Sequence, residues 1–223
     1  MSACIFDSET TGMKEPQLVE AAWLKLSDIK NLPVAAEFIQ RYQPSKPIEL
    51  GALATSHILD EELADCPPHS EFSLPNWVEY LIGHNIDYDW GVIGKPDVKR
   101  ICTRALSTRL WPEADSHSQS AMIYLHCRAD APGLLRNAHA ALDDVKNCRL
   151  LLLKILDALA TQLGRPVYSW QELWEISEDA RVPTIITFGK HKGAKFADLP
   201  QEYRRWLLNQ PDLDPFVRKA LQR

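Results

Sequence analysis

The stretch CIFDSETTG, residues 4–12, places two carboxylates, Asp7 and Glu9, two positions apart at the end of an apolar run. Side chains alternate along a strand, so both project to one face. Like charges on one face repel each other unless a proton or a cation lies between them. The stretch is therefore either a polar turn on an exposed strand edge or part of a cation site. Two later segments carry the same chemistry: GHNIDYDW at 83–90 and NAHAALDDVKNC at 137–148. If helical, Asp87 and Asp89 face nearly opposite sides, and only one of them can join a cluster. In the other segment the helical period sets Asp144 with Ala141, Cys148, Leu151 and Ile155 on an apolar stripe. Asp143 falls with Asn147 and Lys154 on a face that can meet water. A carboxylate on a buried stripe needs a partner, which singles out Asp144. His139, about 140° from Asp144 on an ideal helix, fits better on the loop entering that helix. There it is either a helix-start residue or an imidazole able to swing beside the carboxylates.

The elements that must hold these groups are legible in outline. Apolar stretches at 4–6, 18–26 and 37–42, separated by turn formers, predict a three-stranded meander. Helical spacing is expected over 48–63 and over PNWVEYL at 75–81, and LIGHN at 81–85 reads as a short buried strand. RICTRALSTRLWP at 100–112 reads as a strand feeding a helix that Pro112 ends. The longest helix is expected from about 140 to 163, closed by Gly164-Arg165-Pro166. A short amphipathic segment follows at 170–176. The expected fold is α/β, a mixed sheet flanked by helices with a small C-terminal α+β module. The expected division is 1–164 for the main domain, 165–180 for a linker helix and 181–223 for the module.

A chain of 223 residues, 45% hydrophobic and 25% charged, has room for one full core and an appendage. No apolar run approaches the roughly 18 residues of a membrane span, and the start MSACIFDSETTG has no signal-like pattern. Five widely spaced cysteines fit neither a disulfide framework nor a zinc cluster, so a reducing, cytoplasmic setting is expected. The net charge of −5 is uneven: residues 181–223 hold nine Lys or Arg against four Asp or Glu, and the remainder is acidic. In PTIITFGKHKGAKFADLPQEYRRWLL, cations alternate with aromatics. That pattern suits backbone contact and base stacking on a nucleic acid strand, with Lys190, Lys192 and Lys195 as contact candidates. It equally suits a solvated turn over a minicore of Phe188, Tyr203, Trp206 and Leu207.

In order and spacing, DSETTG, HNIDYD and HAALDD resemble the three motifs of the DEDDh 3′–5′ exonucleases, D-x-E, H-N-x-x-x-D and H-x-A-x-x-D. ICTRALSTRLWP and TFGKHKGAKFADL are similar to flanking segments of a bacterial branch of that family, so the resemblance covers nearly the whole chain. It implies a ribonuclease H-like sheet and hydrolysis of DNA from its 3′ end to nucleoside 5′-monophosphates, in repair or replication processing. It assigns Asp7, Glu9, Asp89 and Asp144 as ligands of two divalent ions per active site, and His139 as general base. Oxygen ligands suit Mg²⁺ or Mn²⁺. An imidazole, with an ordinary pKa of about 6.5, suits a base at neutral pH. ATSHI at 54–58 resembles a segment near the bound terminal nucleotide, so His57 joins Thr10, Thr11 and Asn85 on the substrate side. The implied partners are single-stranded or duplex DNA 3′ ends, with RNA as the alternative. A D-x-D phosphatase with Asp7 as nucleophile is disfavoured by Glu9 in place of the second Asp, and an inactive binding module by the complete acidic set.

Overall fold

The computed structural model describes residues 2–136 and 139–223. The chain divides into two compact units, Met1–Ser177 and Glu178–Arg223. The first is built on a five-stranded sheet of β1 (Ala3–Thr10), β2 (Leu18–Leu26), β3 (Val34–Arg41), β4 (Tyr80–Gly83) and β5 (Lys99–Cys102). Its strand order is β3-β2-β1-β4-β5. The first three strands form the expected antiparallel meander; β4 and β5 add in parallel. β1 is central, so its apolar ACIF run is covered on both faces. The strand does not end at Phe6: it continues through Asp7 and Glu9 to Thr10, and its register with β2 shifts between Glu9 and Thr10. A bulge there ends the ladder just past the acidic pair.

The helices of this unit are α1 (Leu50–Ser56), α2 (Asp87–Val92), α3 (Thr103–Leu110), α4 (Gln119–His126), α5 (Ala131–Leu134), α6 (Ala141–Leu163) and α7 (Trp170–Ala180), the last running across the division. α6 packs on β1 and β2, and α3 and α4 pack on α6. Gly164 closes α6 in a left-handed conformation, φ 69°. The opposite side of the sheet holds Cys4, Phe6, Leu18, Ala21, Tyr42 and Leu81.

Three expectations need correction. PNWVEYL is not a helix: Tyr80 and Leu81 open β4, which is buried along its whole length between β1 and β5. A strand covered on both faces is a continuous apolar run, which helical spacing imitates. The helical stretch 48–63 is broken into α1 and a 3₁₀ turn at Asp60–Leu63. Asn147 does not face water: it is 4% exposed and its Nδ2 donates to Leu134 O at 3.2 Å. Within 165–180, Trp170, Leu173 and Ser177 of α7 are buried. Ser177 Oγ accepts from Cys102 N at 2.9 Å, and Gln171 Oε1 accepts from Lys99 Nζ at 2.8 Å. α7 thereby covers the β4–β5 edge.

The second unit packs Val182, Ile186, Phe196, Leu199, Leu207, Ala220 and Leu221 into a small core. α8 (Gln201–Leu208) and α9 (Pro215–Gln222) supply its helices. A single bridge joins Ile185 to Lys195, and Gly189 and Gly193, both at positive φ, turn the chain back between them. Lys190, Lys192 and Lys195 are exposed, as are Phe188 and Trp206. The minicore reading therefore fails for Phe188 and Trp206 but holds for Leu207. The Tyr203 ring lies 4.5 Å from His191 and 5.4 Å from Trp206, tying the basic loop to α8.

Candidate active site

Three elements bring the acidic residues together at one end of the sheet. β1 carries Asp7 and Glu9 on the face shared with Ala22 and Glu20 of β2. α2 follows β4 directly and turns Asp89 inward, 5% exposed, while Asp87 faces outward and pairs with Arg100. This turn requires Gly83, where a Cβ would come within 2.9 Å of Phe6 O and 2.7 Å of Ile86 Cδ1. The first turn of α6 supplies Asp144, with His139 just ahead of the helix.

Hydrogen bonds fix the arrangement. Asp89 Oδ1 accepts from Ser8 N at 3.1 Å and from Ser8 Oγ at 2.7 Å, tying α2 to β1 between the two β1 carboxylates. Asp144 Oδ2 accepts from His139 N at 2.9 Å, and its Oδ1 accepts from Gln119 Nε2 at 3.0 Å. Ligand atoms of Glu9, His139 and Asp144 all lie within 4.8 Å of one another. His139 is exposed and holds a left-handed backbone, φ 71°. For a non-glycine residue that conformation is uncommon.

The electrostatics of the cluster are those of mutual repulsion. Burial pushes Glu9 up to about 8, with Asp144, Glu20 and Asp89 adding to the shift. Asp89 rises to about 7 through burial, although its bonds to Ser8 pull the other way. Asp7 is driven well above the usual carboxylate range by burial and then by Asp89, Asp144, Glu9 and Glu20. Asp144 is raised by burial against the opposing pull of the His139 N–H. Burial leads in all four, and carboxylates of the cluster add to it for Asp7, Glu9 and Asp89. A set of carboxylates that resists ionisation when bare is a set a divalent cation would stabilise.

The substrate-side candidates are placed less uniformly. Thr11 has no exposed surface and its hydroxyl accepts from Gln17 N at 3.1 Å, so its side chain serves the turn instead. Thr10 shares a 2.6 Å hydrogen bond with Tyr88 OH, which also donates to Gly12 O at 3.0 Å. His57 and Asn85 are exposed and left-handed, φ 57° and 72°. Lys190, Lys192 and Lys195 belong to the second unit. Residues not foreseen from the sequence are Ser8, Glu20, Tyr88 and Gln119. Gln119 also lines a polar cleft of about 620 Å³ with His84, Arg104, Thr108, Asp115 and His117. His84 is held by Thr103 Oγ1 and His117 O at 3.0 and 2.8 Å, and burial lowers it to about 4.

No family model matches the chain, and no curated protein does. Solved structures do. Exonuclease X in complex with 5′-overhanging duplex DNA aligns over 78% of this chain and 99% of its own, at 25% identity and a TM-score of 0.59. The fold is that of the DEDDh 3′–5′ exonucleases. E. coli exonuclease I in complex with a dT13 oligonucleotide aligns over 73% of this chain and 42% of its own, at 17% identity and a TM-score of 0.55. A full-length 3′-exonuclease aligns over 74% and 62%, at 15% identity and a TM-score of 0.52. The chain thus spans less than half of exonuclease I but nearly all of the solved exonuclease X chain. The mixed sheet and flanking helices are the ribonuclease H-like arrangement of these exonucleases. Among the described residues, no helix is long and apolar enough to cross a membrane.

Proposed function

We propose that the protein is a metal-dependent 3′–5′ exonuclease that hydrolyses DNA from the 3′ end to nucleoside 5′-monophosphates. The observation that carries this reading is the convergence of Asp7, Glu9, Asp89 and Asp144 with His139 at one end of the sheet. The donor set is all oxygen apart from one imidazole and its members repel one another, which fits a pair of hard divalent cations, Mg²⁺ or Mn²⁺. Such ions would neutralise the scissile phosphate, lower the pKa of the attacking water and stabilise the leaving 3′-oxygen. Asp7, Glu9, Asp89 and Asp144 would hold them. The rest of the chemistry belongs to the chain itself. His139, exposed beside Glu9 and Asp144, takes the proton from the attacking water on one imidazole nitrogen. Gln119 holds the Asp144 carboxylate in one orientation, and Ser8 does the same for Asp89. Asn85 and His57 stand on the substrate side, and Thr10, fixed by Tyr88, shapes the turn beyond Glu9.

DNA is favoured because the similarity to exonuclease X, crystallised with duplex DNA, runs along nearly all of that chain. The test uses 3′- and 5′-labelled DNA and RNA strands with Mg²⁺, with Mn²⁺ and with chelator. Stepwise release of deoxynucleoside 5′-monophosphates from the 3′ end, stopped by chelator, is expected. Faster release from RNA would move the substrate assignment, and no release from either would reject the reading.

Gln119→Leu removes the donor to Asp144 while keeping the side chain's bulk. Loss of a group that orients a metal ligand costs on the order of 10-fold in activity or metal affinity. Raising the Mg²⁺ concentration should recover part of that loss; an unchanged rate at limiting Mg²⁺ would reject the role.

The exposed lysines of the second unit are proposed to contact the nucleic acid backbone, and exposed Phe188 and Trp206 to stack on bases. Replacing Lys190, Lys192 and Lys195 together by Ala removes three countercharges. For a single strand the slope of log K against log salt should then fall by about 2, at roughly 0.7 per phosphate contact. KM for a long single strand should rise on the order of 10-fold at moderate salt. Identical salt slopes for variant and wild type would remove the module from substrate binding.

A further inference from the structure

One carboxylate near the cluster has no part in the proposed cation set. Glu20 of β2 pairs in register with Glu9 of β1 on one side and Arg41 of β3 on the other, so the three side chains share a sheet face. It is 4% exposed. An isolated buried carboxylate is strongly disfavoured, and Glu20 is not isolated. Its Oε2 pairs with Arg41 Nε at 3.0 Å, and its Oε1 accepts from Ala141 N at 3.2 Å. Arg41 matches its charge, which makes Glu20 a poor cation ligand.

The second bond has a consequence for the site. Ala141 is the first residue of α6, and Ala140, at the N-cap, has no side chain able to accept a hydrogen bond. The first N–H groups of a helix lack internal partners and commonly take an oxygen from a Ser, Thr, Asp or Asn at the N-cap. Here the oxygen comes from a strand far away in sequence. Its negative charge also lies at the positive end of the helix dipole. Arg41 is held in turn by Glu62 at 3.0 Å, and Glu62 Oε2 accepts from Leu59 N at 2.8 Å. Ala141, Glu20, Arg41 and Glu62 thus form one strut from the start of α6 across β2 and β3 to the 3₁₀ turn.

We infer that Glu20 is a positioning residue: it pins the first turn of α6 to β2 and so sets how far His139 and Asp144 stand from Asp7 and Glu9. Its effect on rate rests on the exonuclease reading; its effect on the helix start does not. A displacement of about 1 Å in a catalytic group can cost on the order of 100-fold in rate.

The test compares full-length wild type, Glu20→Ala and Glu20→Gln by amide hydrogen exchange and by nucleotide release. Glu20→Ala should speed exchange at residues 141–145 while residues 151–159 keep their protection. It should lower kcat on the order of 10- to 100-fold, with KM for the oligonucleotide within about 3-fold. Glu20→Gln, which keeps an acceptor for Ala141 N, should recover most of both. In a His139→Ala background, Glu20→Ala should cost much less than in wild type, because it acts partly through the imidazole. Should Glu20→Ala not fold, Ala141→Pro removes the donor instead. Proline is well tolerated at the first helical position, and Ala140 already has the extended backbone it requires, so the variant should reproduce the loss in kcat. Unchanged exchange at 141–145, a full multiplicative loss in the His139→Ala background, or a Gln variant no better than Ala would each overturn the inference. If wild type releases no nucleotide, the exonuclease reading fails, and the exchange result alone decides the role of Glu20.

Discussion

Asp7→Asn is expected to abolish nucleotide release while making the cation-free protein more stable. The two effects have one origin. Asp7 stands on the central strand, and Asp89, Asp144, Glu9 and Glu20 all add to the burial that raises it. A cation bound there would offset that repulsion. Cation-dependent stabilisation of transition-state charge is worth several kcal/mol, and about 4 kcal/mol corresponds to roughly 10³-fold in rate. A loss of at least that size is expected for Asp7→Asn, and the same for Asp144→Asn. Asn keeps the shape of Asp, takes one ionisable carboxyl out of the cluster and leaves the β1 ladder intact. In chelator its thermal midpoint should match or exceed wild type by a few degrees, since about 1 kcal/mol moves the midpoint by roughly 2–4 °C at this chain length. Addition of Mg²⁺ should raise the wild-type midpoint and leave that of Asp7→Asn nearly unchanged. A variant that turns over normally, or that gains as much from Mg²⁺ as wild type does, removes Asp7 from the site.

Legibility in the sequence followed the range of the interactions. Asp7 and Glu9 could be placed on one face because strand alternation is local, and Asp144 because the stripe of α6 repeats along one helix. Helical spacing left Asp87 and Asp89 open and the motif resemblance chose Asp89; α2 presents Asp89 to β1 and leaves Asp87 to Arg100. Glu20 is the one acid in the apolar run LVEAAWLKL. Only the pairing of β2 with both neighbours, and the docking of α6 on top, turns it into the anchor of a helix start. Gln119 was hidden for the same reason, because its contact with Asp144 joins α4 to α6. β4 misled because a fully covered parallel strand loses the alternation that marks exposed ones. Non-local contacts therefore account for most of what was missed.

The acidic cluster also sets how stability should depend on pH. Glu9 is pushed up to about 8 and Asp89 to about 7, with Asp7 and Asp144 raised as well. Unfolded carboxylates titrate near 4. Below that value both states are protonated, and the groups give folding its full benefit. Between about pH 4 and pH 8 the unfolded chain has released these protons and the folded chain retains some of them. Stability must then fall as pH rises through the folded values. In chelator the thermal midpoint of wild type should decline over this window, and that of Asp7→Asn should decline less. A divalent cation reverses the sign, because it replaces the protons and needs its ligands ionised. The gain from Mg²⁺ should be near zero at pH 5 and largest near pH 8. With the ion at 100 times its dissociation constant the gain is about 2.7 kcal/mol, or roughly 5–10 °C. Thermal melts at several pH values, with Mg²⁺ and with chelator, measure both trends. Parallel curves would mean that the carboxylates titrate without a cation to take the place of their protons, and the cation site would be lost with them.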